Sequence, residues 1–239
     1  MSLFVKQLGV GRPLVFLHGW GFDHRIWLNL AQELSKDFHC YLIDLPGFGQ
    51  SEFKNWAWFK QALLSLIPSP FVLIGWSLGG LMATGFALEE SEHVSHLINV
   101  ASSPYFIAEE NWPGIKKEVF AIFYQRLKQD PQQVLNEFLH LQLKNSPQSF
   151  SPSCLPKQEA LKEGLHILES WDFREDLKSF NKPTSFFFGR LDSIVPRKTY
   201  TAMLELYPQF DVLLFGKSAH IPFLSEPEAF LKELKDVLS

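Results

Sequence analysis

A serine between glycines, an aspartate and a late histidine are the residues of this sequence that could share one reaction. Ser77 lies in Gly75-Trp76-Ser77-Leu78-Gly79, directly after the apolar run Phe71-Val72-Leu73-Ile74. The pattern reads as a buried strand, a very tight turn and a helix that starts at once. Glycines flank the serine because the backbone bends sharply there and passes close to neighbouring chain, where a Cβ would collide. The hydroxyl is then raised above the end of a sheet, at a helix N-terminus whose free N–H groups favour an oxyanion. G-x-S-x-G alone is a weak signal. The strand before it and the helical spacing of Leu78, Leu81, Met82 and Phe86 after it supply the context. The bland alternative is a strand–turn–helix with an idle serine.

A serine hydroxyl is a poor nucleophile until a base takes its proton. The base should be a histidine whose tautomer a carboxylate fixes. His220 follows the apolar run Phe210–Phe215, and Asp192 follows Thr184–Phe188. The order Ser77, Asp192, His220 is the order found on α/β-hydrolase sheets. Other candidates are worse placed. His93 and His96 border a strand on the side away from the site, and His140 and His166 fall in a helical block. Asp172, Asp176 and Asp211 read as solvated or capping charges. A tetrahedral intermediate also needs N–H donors. The expected pair is the amide of Leu78 and that of Trp20, in the loop after Pro13–Leu17. His18 reads as a loop-organising residue.

These residues require a scaffold of short apolar strands alternating with helices. Strands are predicted over 2–8 (an edge), Pro13–Leu17, Phe38–Ile43, Phe71–Ile74, His96–Val100, Thr184–Phe188 and Phe210–Phe215. Helical spacing covers Ile26–Leu34, Trp56–Ile67, Thr199–Leu206 and Glu228–Leu238, besides the one after Ser77. This alternation indicates a mostly parallel sheet covered by helices, with its site at the C-terminal strand ends. Residues 105–180 break the pattern: Lys116–Lys128, Gln132–Leu143 and Glu159–Glu169 are helical, separated by a Pro/Ser-rich loop. The fold expected is therefore an α/β-hydrolase core, 1–104 and 181–239, with a helical lid over 105–180 inserted after the sixth core strand. The alternative, long crossover helices, needs fewer than three helices.

Composition narrows the function further. The 239 residues carry a net charge of −4 and only two cysteines, Cys40 and Cys154. That balance favours neither nucleic acid nor a basic membrane binder, and two thiols make no disulfide framework. Nothing at the N-terminus resembles a signal peptide and no apolar run has membrane-spanning length, so a cytoplasmic protein is expected. Gly47-Phe48-Gly49 fails as a dinucleotide motif because Glu52 occupies the third glycine position. No Cys/His cluster has metal spacing; neither metal nor cofactor is expected.

HGW (18–20), DLPGFGQS (44–51), GWSLGG (75–80), VASSP (100–104), WPGI (112–115), LDSIVPRK (191–198) and Ala219-His220 together resemble the BioH carboxylesterases. These are the pimeloyl-acyl-carrier-protein methyl ester esterases of biotin synthesis. The resemblance spans nearly the whole chain. It implies a Ser77–Asp192–His220 triad, acyl carrier protein as the partner that brings the substrate, and substrate contacts at Trp20, Ser77, Leu78 and the segment Phe138, Leu139, His140, Leu141 and Gln142. Phe138 would then pack against the pimeloyl chain. The chain departs from the family where lid arginines would grip the carrier, having Gln133 and Glu137 there. A monomer is expected. Two other readings stay open: a hydrolase of another small acyl metabolite, by ester or carbon–carbon cleavage, and a silent hydrolase fold used for binding.

Overall fold

A computed structural model of the chain describes residues 2–143, 150, 152 and 155–239, with the side chain of Leu143 left out. Cys154, Lys144 and most of the Pro/Ser-rich stretch lie outside the described residues. The core is one seven-stranded sheet in the order β1-β3-β2-β4-β5-β6-β7. Its strands are β1 (Val5–Leu8), β2 (Pro13–Leu17), β3 (His39–Ile43), β4 (Phe71–Trp76), β5 (Val94–Val100), β6 (Thr184–Gly189) and β7 (Asp211–Phe215). Only β1 runs antiparallel, paired to β3 at the edge. Every residue of β4 and β6 is buried, which is why these strands read as unbroken apolar runs.

The helices are α1 (Leu28–Leu34), α2 (Trp56–Leu66), α3 (Leu78–Glu89), α4 (Lys117–Gln129), α5 (Pro131–Leu143), α6 (Gln158–Ser170), α7 (Arg197–Leu206), α8 (Pro222–Ser225) and α9 (Pro227–Leu238). The first two residues of the predicted Ile26–Leu34 helix belong instead to a 3₁₀ turn, His24–Trp27, capped by the Asp23 carboxylate. α3 shows no amphipathic face because ten of its residues are buried on all sides. Among the described residues no helix is long and apolar enough to cross a membrane.

α4, α5 and α6 lie together between β5 and β6, and α6 packs on α3 and α4. Five strands precede this block, so it follows the fifth strand of the sheet and not the sixth. The strands predicted before residue 105 correspond to these same five, so the position expected for the insertion is one strand too late. The path from β5 into the block is fixed by VASSP and WPGI. Ser103 Oγ and the indole Nε1 of Trp112 both donate to the carbonyl of Tyr105, at 2.7 and 2.8 Å. The Arg174 guanidinium lies 4.3 Å over the Tyr105 ring and pairs with Glu109 and Asp172.

Candidate active site

The turn after β4 is strained and held. Ser77 has φ 55° and ψ −118°, a conformation costing about 1–3 kcal/mol for a non-glycine residue. Its N–H donates to Val100 O at 3.0 Å, and its carbonyl accepts from the amides of Gly80 and Leu81. Ser102 Oγ donates to the same carbonyl at 2.9 Å. The glycines are required by contact. A Cβ on Gly75 would lie 2.3 Å from Gly79 O, and one on Gly79 would lie 2.4 Å from Leu17 O.

The loops after β4, β6 and β7 bring the three predicted residues together. His220 Nε2 lies 2.9 Å from Ser77 Oγ, and His220 Nδ1 lies 2.7 Å from Asp192 Oδ2. The second carboxylate oxygen of Asp192 accepts from the amides of Ile194 and Val195 at 2.8 and 3.0 Å. Thus LDSIVPRK supplies both the aspartate and the amides that aim it. With the carboxylate so oriented, Nδ1 carries the proton and donates it to Asp192. Nε2 is left to accept from the Ser77 hydroxyl. The Asp192 side chain is wholly buried and that of His220 is 4% exposed. The Trp76 indole N–H donates to His220 O at 2.8 Å and fixes the backbone of the histidine loop.

Leu78 opens α3, where an amide has no intrahelical acceptor. The Trp20 amide, after β2, makes no hydrogen bond among the described residues. The Trp20 side chain donates from Nε1 to Leu161 O of α6 at 2.8 Å. Gly164 permits this approach, since its Cβ would stand 2.8 Å from Trp20 Cδ1. A glycine inside a helix costs about 1 kcal/mol against alanine, and here it admits an indole.

A cavity of about 350 Å³ opens on Ser77 and is lined by Trp20, Phe120, Phe123, Phe138, Leu165 and Leu168 among others. The five consecutive residues expected at the substrate divide by helical geometry. Phe138, Leu141 and Gln142, spaced i, i+3, i+4, line the cavity. Leu139 points into the core and His140 into solvent, so neither reaches it. The Leu78 side chain faces a second cavity of about 420 Å³ on the other flank of α6, shared with Phe53, Trp56 and Gly164. The larger space does not include Ser77, so the chemistry belongs to the smaller one.

The sequence reading missed a buried polar knot behind the site. Asp44 Oδ1 accepts from the His24 amide at 2.7 Å and lies 2.8 Å from His24 Nδ1; Oδ2 accepts from the Gln50 amide at 2.8 Å. Asp23 and His24 join it, a grouping that has metal-ligand types. Both Asp23 oxygens, however, accept from the Arg25 guanidinium. DLPGFGQS is thus a clasp between the loops after β2 and β3. Gly49, at φ 51°, leaves room for the Asp44 carboxylate, which a Cβ would meet at 2.2 Å.

His18 belongs to the same clasp, as expected of a loop organiser. Its Nδ1 donates to Gly19 O at 2.8 Å, and its Nε2 accepts from the Leu45 amide at 3.0 Å. Burial lowers its pKa below 6.5 despite the nearby Asp44 carboxylate, and burial lowers that of His96 likewise. Below the ordinary histidine value the unfolded chain therefore takes up protons that the fold refuses. Stability is full above pH 6.5 and falls as pH drops toward the lowered folded values. Unfolding free energies from denaturant titrations run from pH 7 downward should fall through mild acid, by at most about 1.4 kcal/mol per pH unit for each such histidine. His18→Gln should flatten the slope; an unchanged slope in that variant would remove His18 from the explanation.

The model of the alpha/beta hydrolase family matches residues 14–233, and the chain belongs to that family. Within it, the chain is 44% identical over 238 residues, covering 100% of both sequences, to the pimeloyl-[acyl-carrier protein] methyl ester esterase of Legionella pneumophila (strain Corby). The protein of the same name from Vibrio cholerae is 37% identical over 98% of this chain and 97% of its own. The chain is a member of this group of esterases. Among solved structures, the esterase EaEST from Exiguobacterium antarcticum superposes with a TM-score of 0.88 at 22% identity, covering 99% of this chain and 96% of that one. A bromoperoxidase from Bacillus anthracis gives 0.86 at 20% identity, covering 99% and 95%. These two likenesses concern the fold alone.

Proposed function

We propose that the protein is a serine carboxylesterase that hydrolyses the methyl ester of pimeloyl-acyl carrier protein in biotin biosynthesis. The observation that carries the reading is the hydrogen-bonded relay Ser77–His220–Asp192 opening onto a mostly apolar cavity. The names of the full-length relatives supply the substrate.

In this reading Ser77 Oγ attacks the ester carbonyl as His220 Nε2 takes its proton. The oxyanion is held by the amides of Trp20 and Leu78. Collapse expels the methoxy group, which leaves as methanol with the proton from His220. Water then attacks the acyl-enzyme with His220 again as base. The free carboxylate departs and Ser77 regains its proton. Asp192 keeps the imidazole in the tautomer that can accept and stabilises the imidazolium. The helices of residues 105–180 act as a lid. Phe138 and Phe123, whose ring centroids stand 5.1 and 6.3 Å from that of Trp20, form an aromatic wall for the methylene chain. The acyl carrier protein presents its arm at the cavity's open end.

The test is growth. A strain lacking this esterase step should regain growth without biotin when given the wild-type gene, and should not when given Ser77→Ala. Failure of the soluble wild-type protein to restore growth would remove the physiological assignment.

A further inference from the structure

The cavity over Ser77 carries one charged group. Among its fifteen lining residues Lys116 alone is charged at neutral pH, with Gln142 and Ser193 as further polar side chains. No carboxylate pairs with Lys116 among the described residues. Lys116 stands at the entrance of α4, one helical turn before Val119. Val119 is 39% exposed and Leu141 is 63% exposed, although both line the cavity, so the cavity meets solvent where α4 begins and α5 ends. Ser77 is buried, at 6% exposure. The space therefore runs from a buried nucleophile along apolar walls to a rim that bears an unpaired ammonium. An ammonium there attracts an anion and does nothing for a neutral chain end.

We infer that Lys116 determines specificity by receiving an anionic group at the far end of the substrate, away from the ester that Ser77 cleaves. This inference rests on the esterase reading above. The shared chemistry is an oxyanion. It is either the carboxylate of a free dicarboxylic half-ester or the phosphate on a carrier's prosthetic arm.

The test compares matched substrates on the wild-type protein and Lys116→Met, which keeps the apolar stem and removes the charge. The substrates are monomethyl pimelate, a neutral methyl alkanoate of equal chain length, and methyl pimeloyl thioesters of pantetheine with and without its phosphate. The wild-type protein should prefer the anionic members. Lys116→Met should lose about tenfold in kcat/KM on them, mainly through KM, and stay within about twofold on the neutral ester. Lys116→Arg should restore most of the loss. A loss confined to the half-ester assigns the carboxylate, and one confined to the phosphorylated thioester assigns the phosphate. Equal losses on charged and neutral esters, or no loss on any, would overturn the inference. Hydrolysis of the neutral ester by wild type but not by Ser77→Ala would leave the esterase reading standing in either case. Thermal midpoints of both lysine variants, matched to wild type, exclude a folding defect.

Discussion

Ser77→Ala should lose about 10⁶-fold in kcat on methyl esters and all labelling by a fluorophosphonate probe, while folding normally. Magnitudes of that order follow when a serine that acts as one unit with its base is removed. Normal folding is expected because the one hydrogen bond of the Ser77 hydroxyl among the described residues is to His220 Nε2, at 2.9 Å. The strained turn is held by backbone groups instead: the Ser77 N–H on Val100 O and the Ser102 hydroxyl on Ser77 O. Alanine has the same Cβ and keeps both. Steady-state hydrolysis and intact mass after probe treatment read the two effects. A variant that kept more than about one hundredth of the rate would place the nucleophile elsewhere.

Asp192→Asn should cost about 10⁴ in kcat with little loss of stability, and the reason lies in two backbone amides. Ile194 and Val195 both donate to Asp192 Oδ1, while Oδ2 accepts from His220 Nδ1. An asparagine satisfies the amides only by turning its oxygen to them. Its NH₂ then faces Nδ1, which must accept, and the imidazole proton moves to Nε2. That proton points at Ser77 Oγ, and the base is gone. Rapid-quench or steady-state rates on a small methyl ester check the size of the effect. A loss under about tenfold would mean that another group sets the tautomer.

The meeting of Ser77, Asp192 and His220 is legible in the sequence because each follows the C-terminal end of a strand of a parallel sheet. Strand ends converge on one edge whatever lies between them, so Ser77, Asp192 and His220 could be placed from order alone. Pro13–Leu17 was read with the bounds β2 has, since a proline and a His-Gly pair delimit it. The substrate wall was less legible. The family resemblance implies the whole segment Phe138–Gln142, and hydrophobic spacing reveals that α5 exists but not which way it is rotated against Trp20, so neither separates Leu139 and His140 from Phe138, Leu141 and Gln142. The Asp23–His24–Asp44 knot was invisible for a different reason. Asp44 precedes Leu-Pro-Gly, and an aspartate before a proline and glycine reads as a turn residue. Nothing local says that its carboxylate crosses to the 3₁₀ turn at His24. α8 is four residues long, too short for any periodicity to show.

The central claim is that this buried relay cleaves one bond, the methyl ester of a carrier-bound acyl chain, and spares the thioester at the other end. Mass spectrometry of pimeloyl-acyl carrier protein methyl ester incubated with the purified protein tests this most directly. The carrier should lose one methylene equivalent in mass, release methanol and keep its acyl chain, and Ser77→Ala should leave it unchanged. An intact methyl ester under conditions where small esters are hydrolysed, or a carrier stripped of its acyl chain, would contradict the account.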